Sequence, residues 1–310
     1  MKEILIATDF SEQSDLAIKV AQKLKKHIPS KAFHWDNIIH KLKSVISSED
    51  DLYYKVSEWG SKAPAHLREE IEGQFKRLGL TNKDLAIEFV EGGKFNALQD
   101  YFKGKSEEDL VMITTSDDTL WERVLFGNFV EKLIFGTKNP VYLVKRDIEH
   151  PPKKIAICFD PEQDGQRFLY HAAKIAKTFG ATVEIIYVEA FDSRDLHKNI
   201  FSTNQDTEKN KNNYLAYKRK LAEEKFEEYE AFFKKQGVES AVKIILAVDK
   251  TPAENVINHL HKNPVDLLMV EPSQGFTKGF KFNSTSYDLI KNVPVNFIIV
   301  KEDHKLGAKE

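Results

Sequence analysis

The sequence predicts an α/β protein built from two duplicated domains, each an open parallel sheet with helices on both faces. Three observations carry this expectation. Short, continuous apolar runs such as residues 110–113 and 141–144 read as strands covered on both sides. Amphipathic stretches separate these runs, and that alternation implies parallel strands joined by right-handed crossovers. The pattern also occurs twice. Asp9 to Asp160 spans 151 positions, Gly79 to Gly237 158, Asp109 to Asp266 157 and Pro140 to Pro294 154. Four landmarks at nearly constant spacing indicate an internal duplication.

Taken in order, residues 4–8 read as a buried strand ending at Asp9. Ser11 is the expected N-cap of a helix whose Leu16, Val20 and Leu24 share one face. Residues 28–60 give little periodic signal, and the strand needed there is assigned to 37–40, NIIH. The charged tract 41–62 reads as an insertion. Residues 64–78 form a polar amphipathic helix closed by Gly79, a residue suited to a left-handed C-terminal position. A strand at 85–90, a short helix at 95–102 and the strand at 110–113 follow. An irregular loop, a helix and the strand at 141–144 complete the first half.

Pro151 and Pro152 can continue neither a helix nor a central strand, so they mark the junction. The expected domains are residues 1–148 and 149–310. The second half repeats the order. It has strands at 155–159, 183–188, 242–248, 267–270 and 295–300, with helices at 168–179, 213–236 and 252–261. A further short helix ends near Asn292. Phe226, Tyr229, Phe232 and Phe233 fall at helical spacing and read as the packing face of the long 213–236 helix. Its other side is densely charged.

At 310 residues the chain is too long for one ordinary core and comfortable for two. A formal net charge of −2 provides no field to recruit nucleic acid or an anionic membrane. No apolar run approaches the roughly 20 residues needed to span a bilayer. The single cysteine, Cys158, cannot form an internal disulfide, which favours a reducing, cytoplasmic home.

The start ILIATDFSEQSDLAIKVAQKL, with Asp9 after the strand, resembles the first strand and helix of the universal stress protein family. The stretch DLVMITTSDDTLWERVLFGNFVEKLIFGTKNPVYLV is similar to the C-terminal half of such a domain, and the pattern returns in the second half. The resemblance is thus to a tandem universal stress protein. It implies an adenine-nucleotide alpha-hydrolase-like fold with strand order 3-2-1-4-5 in each half. It also implies that the last strands of the two halves pair, forming an internal pseudo-dimer.

The same resemblance locates a nucleotide crevice beyond the carboxyl ends of the strands. Nucleotide-binding members carry a G-x-x-G, nine-residue, G-[ST] loop, whose glycines let backbone N–H groups approach phosphates. Without a gap it falls on Thr114, Asp117, Gly127 and Asn128, so only Gly127 keeps the glycine. Asp117 and Asp118 would repel a phosphate unless a Mg²⁺ ion bridged them; the plainer reading is a solvated acidic loop. In the second half Glu271 replaces the first glycine and Pro272 removes a donor. Asp9 and Asp160 are the matching strand-end carboxylates, which would also complement a helix N-terminus.

No P-loop, G-x-S-x-G elbow or strand-coupled G-x-G-x-x-G occurs. His259 and His261, two apart on a helix, do not make a metal pair. Cys158 reads as a small buried hydrophobe. The expected function is a non-catalytic stress-response module that works through a protein partner. The alternative is an ATP- or AMP-binding protein, with Mg²⁺, holding its nucleotide in the first crevice. A further homodimer stays open.

Overall fold

Alternating apolar runs and amphipathic helices become two packed units in the computed structural model. The structure describes residues 1–8, 12, 14–35, 65–80, 87–90, 101–114, 134, 137–158, 165–191, 207–271 and 284–301. One unit comprises Met1–Pro151 with Asn296–Asp303, and the other is built on Pro152–Val295. The division falls at Pro151, three residues after the boundary expected from the sequence, and it assigns the 296–303 segment to the first unit.

The first unit is a sheet in the order β3-β2-β1-β4-β5-β10. Its strands are β1 (Ile4–Thr8), β2 (Ser30–Trp35), β3 (Ile87–Val90), β4 (Leu110–Thr114), β5 (Val141–Val144) and β10 (Asn296–Ile299). The first five run parallel, whereas β10 lies antiparallel to β5, with Phe297 opposite Leu143. Ile4, Leu5 and Ile6 of β1 and Leu110, Val111 and Met112 of β4 are fully buried. Burying each such side chain contributes about 1.5–3 kcal/mol.

Helix α1 (Asp15–Leu24) covers this sheet with Ala17, Ile18, Val20, Ala21 and Leu24, a stripe at three- and four-residue spacing. Helix α2 (Ala65–Leu78) contributes Ile71 and Phe75 to the same core.

The second unit has the order β9-β6-β7-β8. It comprises β6 (Lys154–Cys158), β7 (Thr182–Phe191), β8 (Ser240–Val248) and β9 (Leu267–Val270), all pairing in parallel. Its helices are α3 (Gln166–Phe179), α4 (Thr207–Lys235), α5 (Pro252–Lys262) and α6 (Ser284–Asn292). A capping box opens α5. Thr251 Oγ1 accepts from the Glu254 backbone N–H at 3.2 Å, and the Glu254 carboxylate accepts from the Thr251 N–H at 2.8 Å.

Gly79 and Gly237, the paired landmarks of the duplication, both sit just after a helix. Their φ values of 63° and 74° lie in the left-handed region that closes a helix.

Several expectations need correction. The number of strands per half is not among them: among the described residues β1–β5 come from the first half and β6–β10 from the second, and β10, paired antiparallel with β5, groups with the first unit. The second strand is SKAFHW at Ser30–Trp35, not NIIH at 37–40, which lies outside the described residues. It is specified by pairing with β1, Ile4 to Ser30 through Thr8 to His34, more than by its own apolar content. Helix α1 begins after Ser14 rather than Ser11. Helix α4 begins at Thr207, six residues before the expected start.

Asn296 explains why β10 stays with β5. This residue is fully buried, and its Oδ1 accepts from the backbone N–H groups of Lys145 and Arg146 at 2.8 and 2.9 Å. Its Nδ2 donates to the Arg146 carbonyl at 3.0 Å and to the Tyr142 hydroxyl at 3.3 Å. One side-chain amide therefore serves the backbone that leaves β5, where a buried unmet polar group would be costly.

Candidate functional site

Parallel pairing places the carboxyl ends of β1 and β4 side by side, with α1 starting next to them. This is the position where open α/β sheets bind ligands. Of the candidate residues, Thr114 is described at the end of β4; Asp9, Asp117, Gly127, Asn128 and Asp160 lie outside the described residues.

Thr114 has a structural partner. Its Oγ1 accepts from the Ala17 backbone N–H at 3.0 Å, so β4 caps the first turn of α1. Ser14, the residue at the N-cap position, adopts a helical φ of −68° and ψ of −16° and makes no side-chain cap. The Thr114 hydroxyl thus accepts from a helix N–H through its oxygen, a role separate from the O–H donation a phosphate would need.

A polar cluster lies beside this cap. Thr8 Oγ1 is 3.0 Å from Ser14 Oγ and donates to Gln74 Oε1 at 3.3 Å. The Gln74 amide donates to Ser14 Oγ at 3.1 Å and to Asp15 Oδ1 at 2.7 Å. Arg77 closes the cluster, with Nε 2.9 Å from Asp15 Oδ2 and an Nη 3.3 Å from Asp15 Oδ1. The bond to Asp15 raises the Arg77 guanidinium further above its ordinary value, against the opposing effect of burial. Thr8, Ser14, Asp15 and Gln74 are all buried.

Chemically this is a lock between α1 and α2. Both Asp15 oxygens receive charge-assisted or amide hydrogen bonds. Among the described residues, no group of three or more His, Cys, Asp or Glu could hold a metal ion. No helix among them is long and apolar enough to cross a membrane.

In the second unit, the end of β9 is tied to α6 by Ser286 Oγ, which donates to the Glu271 carbonyl at 2.8 Å. Glu271 itself is buried. Cys158, at the end of β6, has its thiol pushed up to about 12, chiefly by burial and secondarily by Glu184. At neutral pH that leaves it a thiol and a poor nucleophile.

One ionic cluster was missed by the sequence reading. Glu184 of β7 lies 2.8 Å from Lys154 Nζ and 2.8 Å from His259 Nε2 of α5. The signal was present as a lone carboxylate inside the apolar run TVEIIYV. Burial acts to raise the Glu184 pKa, but the hydrogen bonds from Lys154 and His259 outweigh it and hold the carboxyl below its ordinary value.

A carboxyl lowered in the folded state adds stability above its unfolded value, and that stability disappears as pH falls through the folded value. Glu184→Gln is therefore expected to lower the midpoint of thermal unfolding at neutral pH and to flatten its acid decline. Melting curves taken down through the carboxylate range check this; an acid slope equal to wild type would count against it.

The fold and this crevice define an α/β protein with a largely parallel sheet and a hydrogen-bonded polar cluster beside the strand ends. Residues 152–301 match the universal stress protein family, so the chain carries one such domain there. No curated protein sequence matches the chain. Among solved structures, a universal stress protein from Archaeoglobus fulgidus DSM 4304 aligns with a TM-score of 0.55 at 17% identity, covering 97% of this chain and 96% of its own. The functionally unknown protein PA1789 from Pseudomonas aeruginosa PAO1 also aligns with a TM-score of 0.55, at 13% identity, covering 97% and 92% respectively. These likenesses establish an α/β fold with a largely parallel sheet, and at such low identity they establish only that.

Proposed function

We propose that the chain is a tandem universal stress protein with domains at 1–148 and 149–310. It acts in the cytoplasm as a non-catalytic stress-response module that works through a protein partner. The observation that carries this reading is the Thr114 bond to the Ala17 N–H. A nucleotide phosphate at this crevice would draw on the first-turn N–H groups of α1, and one of them is already capped from within the fold. The cluster of Thr8, Ser14, Asp15, Gln74 and Arg77 supports the same conclusion, because the Gln74 and Arg77 donors are met by Ser14 and Asp15 oxygens within it.

The test is a thermal-shift titration with ATP, ADP and AMP, each with and without Mg²⁺. A ligand specific for the folded state stabilises it by about 2.7 kcal/mol at a hundredfold excess over its dissociation constant. The expected result is no shift at millimolar nucleotide. A Mg²⁺-dependent ATP shift that disappears in Asp9→Ala or Gly127→Val would replace this reading with the nucleotide-binding alternative.

A further inference from the structure

In the second unit the sheet ends at β8, and among the described residues no strand lies beyond it. Backbone parity shows which of its groups face outward. Each strand residue points its N–H and C=O to the same side, and successive residues alternate. The Glu239 carbonyl accepts from the Val183 N–H of β7, and the Asp249 N–H donates to the Phe191 carbonyl. Odd-numbered residues of β8 therefore serve β7. Ser240, Val242, Ile244, Leu246 and Val248 turn their N–H and C=O groups to the outer edge.

That edge is long and little protected. β8 pairs with β7 residue for residue over nine positions, without a bulge. It holds no proline, and its single charge is Lys243. Short strands, prolines, bulges and multiple charges are the usual means of keeping an edge from pairing. Val242, Ile245, Leu246 and Val248 stay only half-buried.

A groove runs beside the edge, lined by Val242, Lys243 and Ile244. Side chains of consecutive strand residues alternate between faces, so a groove that meets all three reaches the backbone edge itself. Its other wall is α4, where Glu223, Glu227 and Glu230 form a row at four- and three-residue spacing, with Arg219 one turn ahead. Three carboxylates thus stand against two cations, Arg219 and Lys243. Lys218 is held by Glu189 and Lys220 by Glu224, and Lys225, Lys234 and Lys235 lie outside the lining.

We propose that the β8 edge takes up an extended, basic peptide segment of a partner protein as an added strand. The segment's backbone meets the outward-facing residues, and its lysine or arginine side chains meet the Glu223, Glu227 and Glu230 row. A second copy of this chain paired along the same edge would bring the same lining, with the same excess of carboxylate. The proposal names the kind of partner that the stress-response reading requires and rests on that reading. Its test contains no nucleotide, so the two can fail separately.

The test is hydrogen exchange by NMR on the full chain, using a blocked peptide of alternating lysine and valine about eight residues long. In the free protein the amides of Lys243, Ile245 and Ala247 are expected to exchange slowly and those of Val242, Ile244 and Leu246 quickly. Adding the peptide is expected to protect the second set. The same peptide with every backbone nitrogen methylated keeps its charge and is expected not to bind. Glu223→Gln combined with Glu227→Gln, both at exposed positions, is expected to weaken binding about three- to tenfold at low salt without lowering the melting temperature.

No binding at millimolar peptide, equal binding of the methylated peptide, or equal binding to the glutamine variant would each overturn the proposal. So would outward amides already protected in the free protein. If that protection rose with protein concentration, the edge would belong to a second copy instead.

Discussion

Replacing Asn296 with leucine is expected to destabilise the first unit by about 3–5 kcal/mol. The new side chain has similar volume and no hydrogen-bonding capacity. The Lys145 and Arg146 N–H groups, the Arg146 carbonyl and the Tyr142 hydroxyl each lose the bond that Asn296 provides. Leaving a buried polar group without its bond costs about 1–3 kcal/mol, and the partial exposure of this backbone places each loss near the lower end. Urea denaturation gives the total. Hydrogen exchange at β5 and β10 locates it, with amides there expected to lose protection first. A loss below about 1 kcal/mol would mean that water or rearranged backbone replaces the asparagine at little cost.

Phe226→Ala is expected to cost a comparable amount, about 3–5 kcal/mol, through lost burial plus the cavity left behind. Phe226 is 1% exposed, with its ring centroid 5.2 Å from Tyr187 and 5.3 Å from Tyr229. Its effect should be regional. Between 209 and 221 helix α4 has no fully buried residue and meets β7 through Tyr214 against Phe191 and Lys218 paired with Glu189, so Ala222, Phe226 and Phe233 are its buried anchors. Losing the central anchor should free the helix before the sheet unfolds. Far-UV helicity is expected to melt in an early step, ahead of the main transition. A single transition at the wild-type midpoint would show that Ala222 and Phe233 hold the helix without it.

Elements whose fate is decided locally were readable from the sequence. Residues 110–113 and 267–270 are apolar runs whose burial follows from composition, and Gly79 and Gly237 announce helix ends by their backbone freedom. Elements decided by distant partners were harder to read. SKAFHW has no apolar run, and it becomes β2 because β1 and β3 flank it. The start of α1 was assigned to a nearby serine, yet its first turn is capped by Thr114, 97 positions away. Asn296 carries no local sign of its role, since the groups it serves are about 150 positions upstream.

The candidate crevice was located by its strand ends, and Thr114 was named there. The sequence could not show that its oxygen would accept from the first turn of α1. The lock of Gln74 and Arg77 onto Asp15 joins helices 59 and 62 positions apart, a distance no motif spans.

The union of β10 with β5 also imposes a schedule on synthesis. Asn296 follows Lys145 by 151 positions. At about 5–20 residues per second, β5 leaves the ribosome roughly 10–30 s before the strand that covers it. During that interval VYLV, fully buried in the finished protein, is an open apolar strand edge on a nearly complete sheet. The nascent chain thus passes through a stage in which a chaperone, or the same edge of a neighbouring nascent chain, competes with β10 for β5.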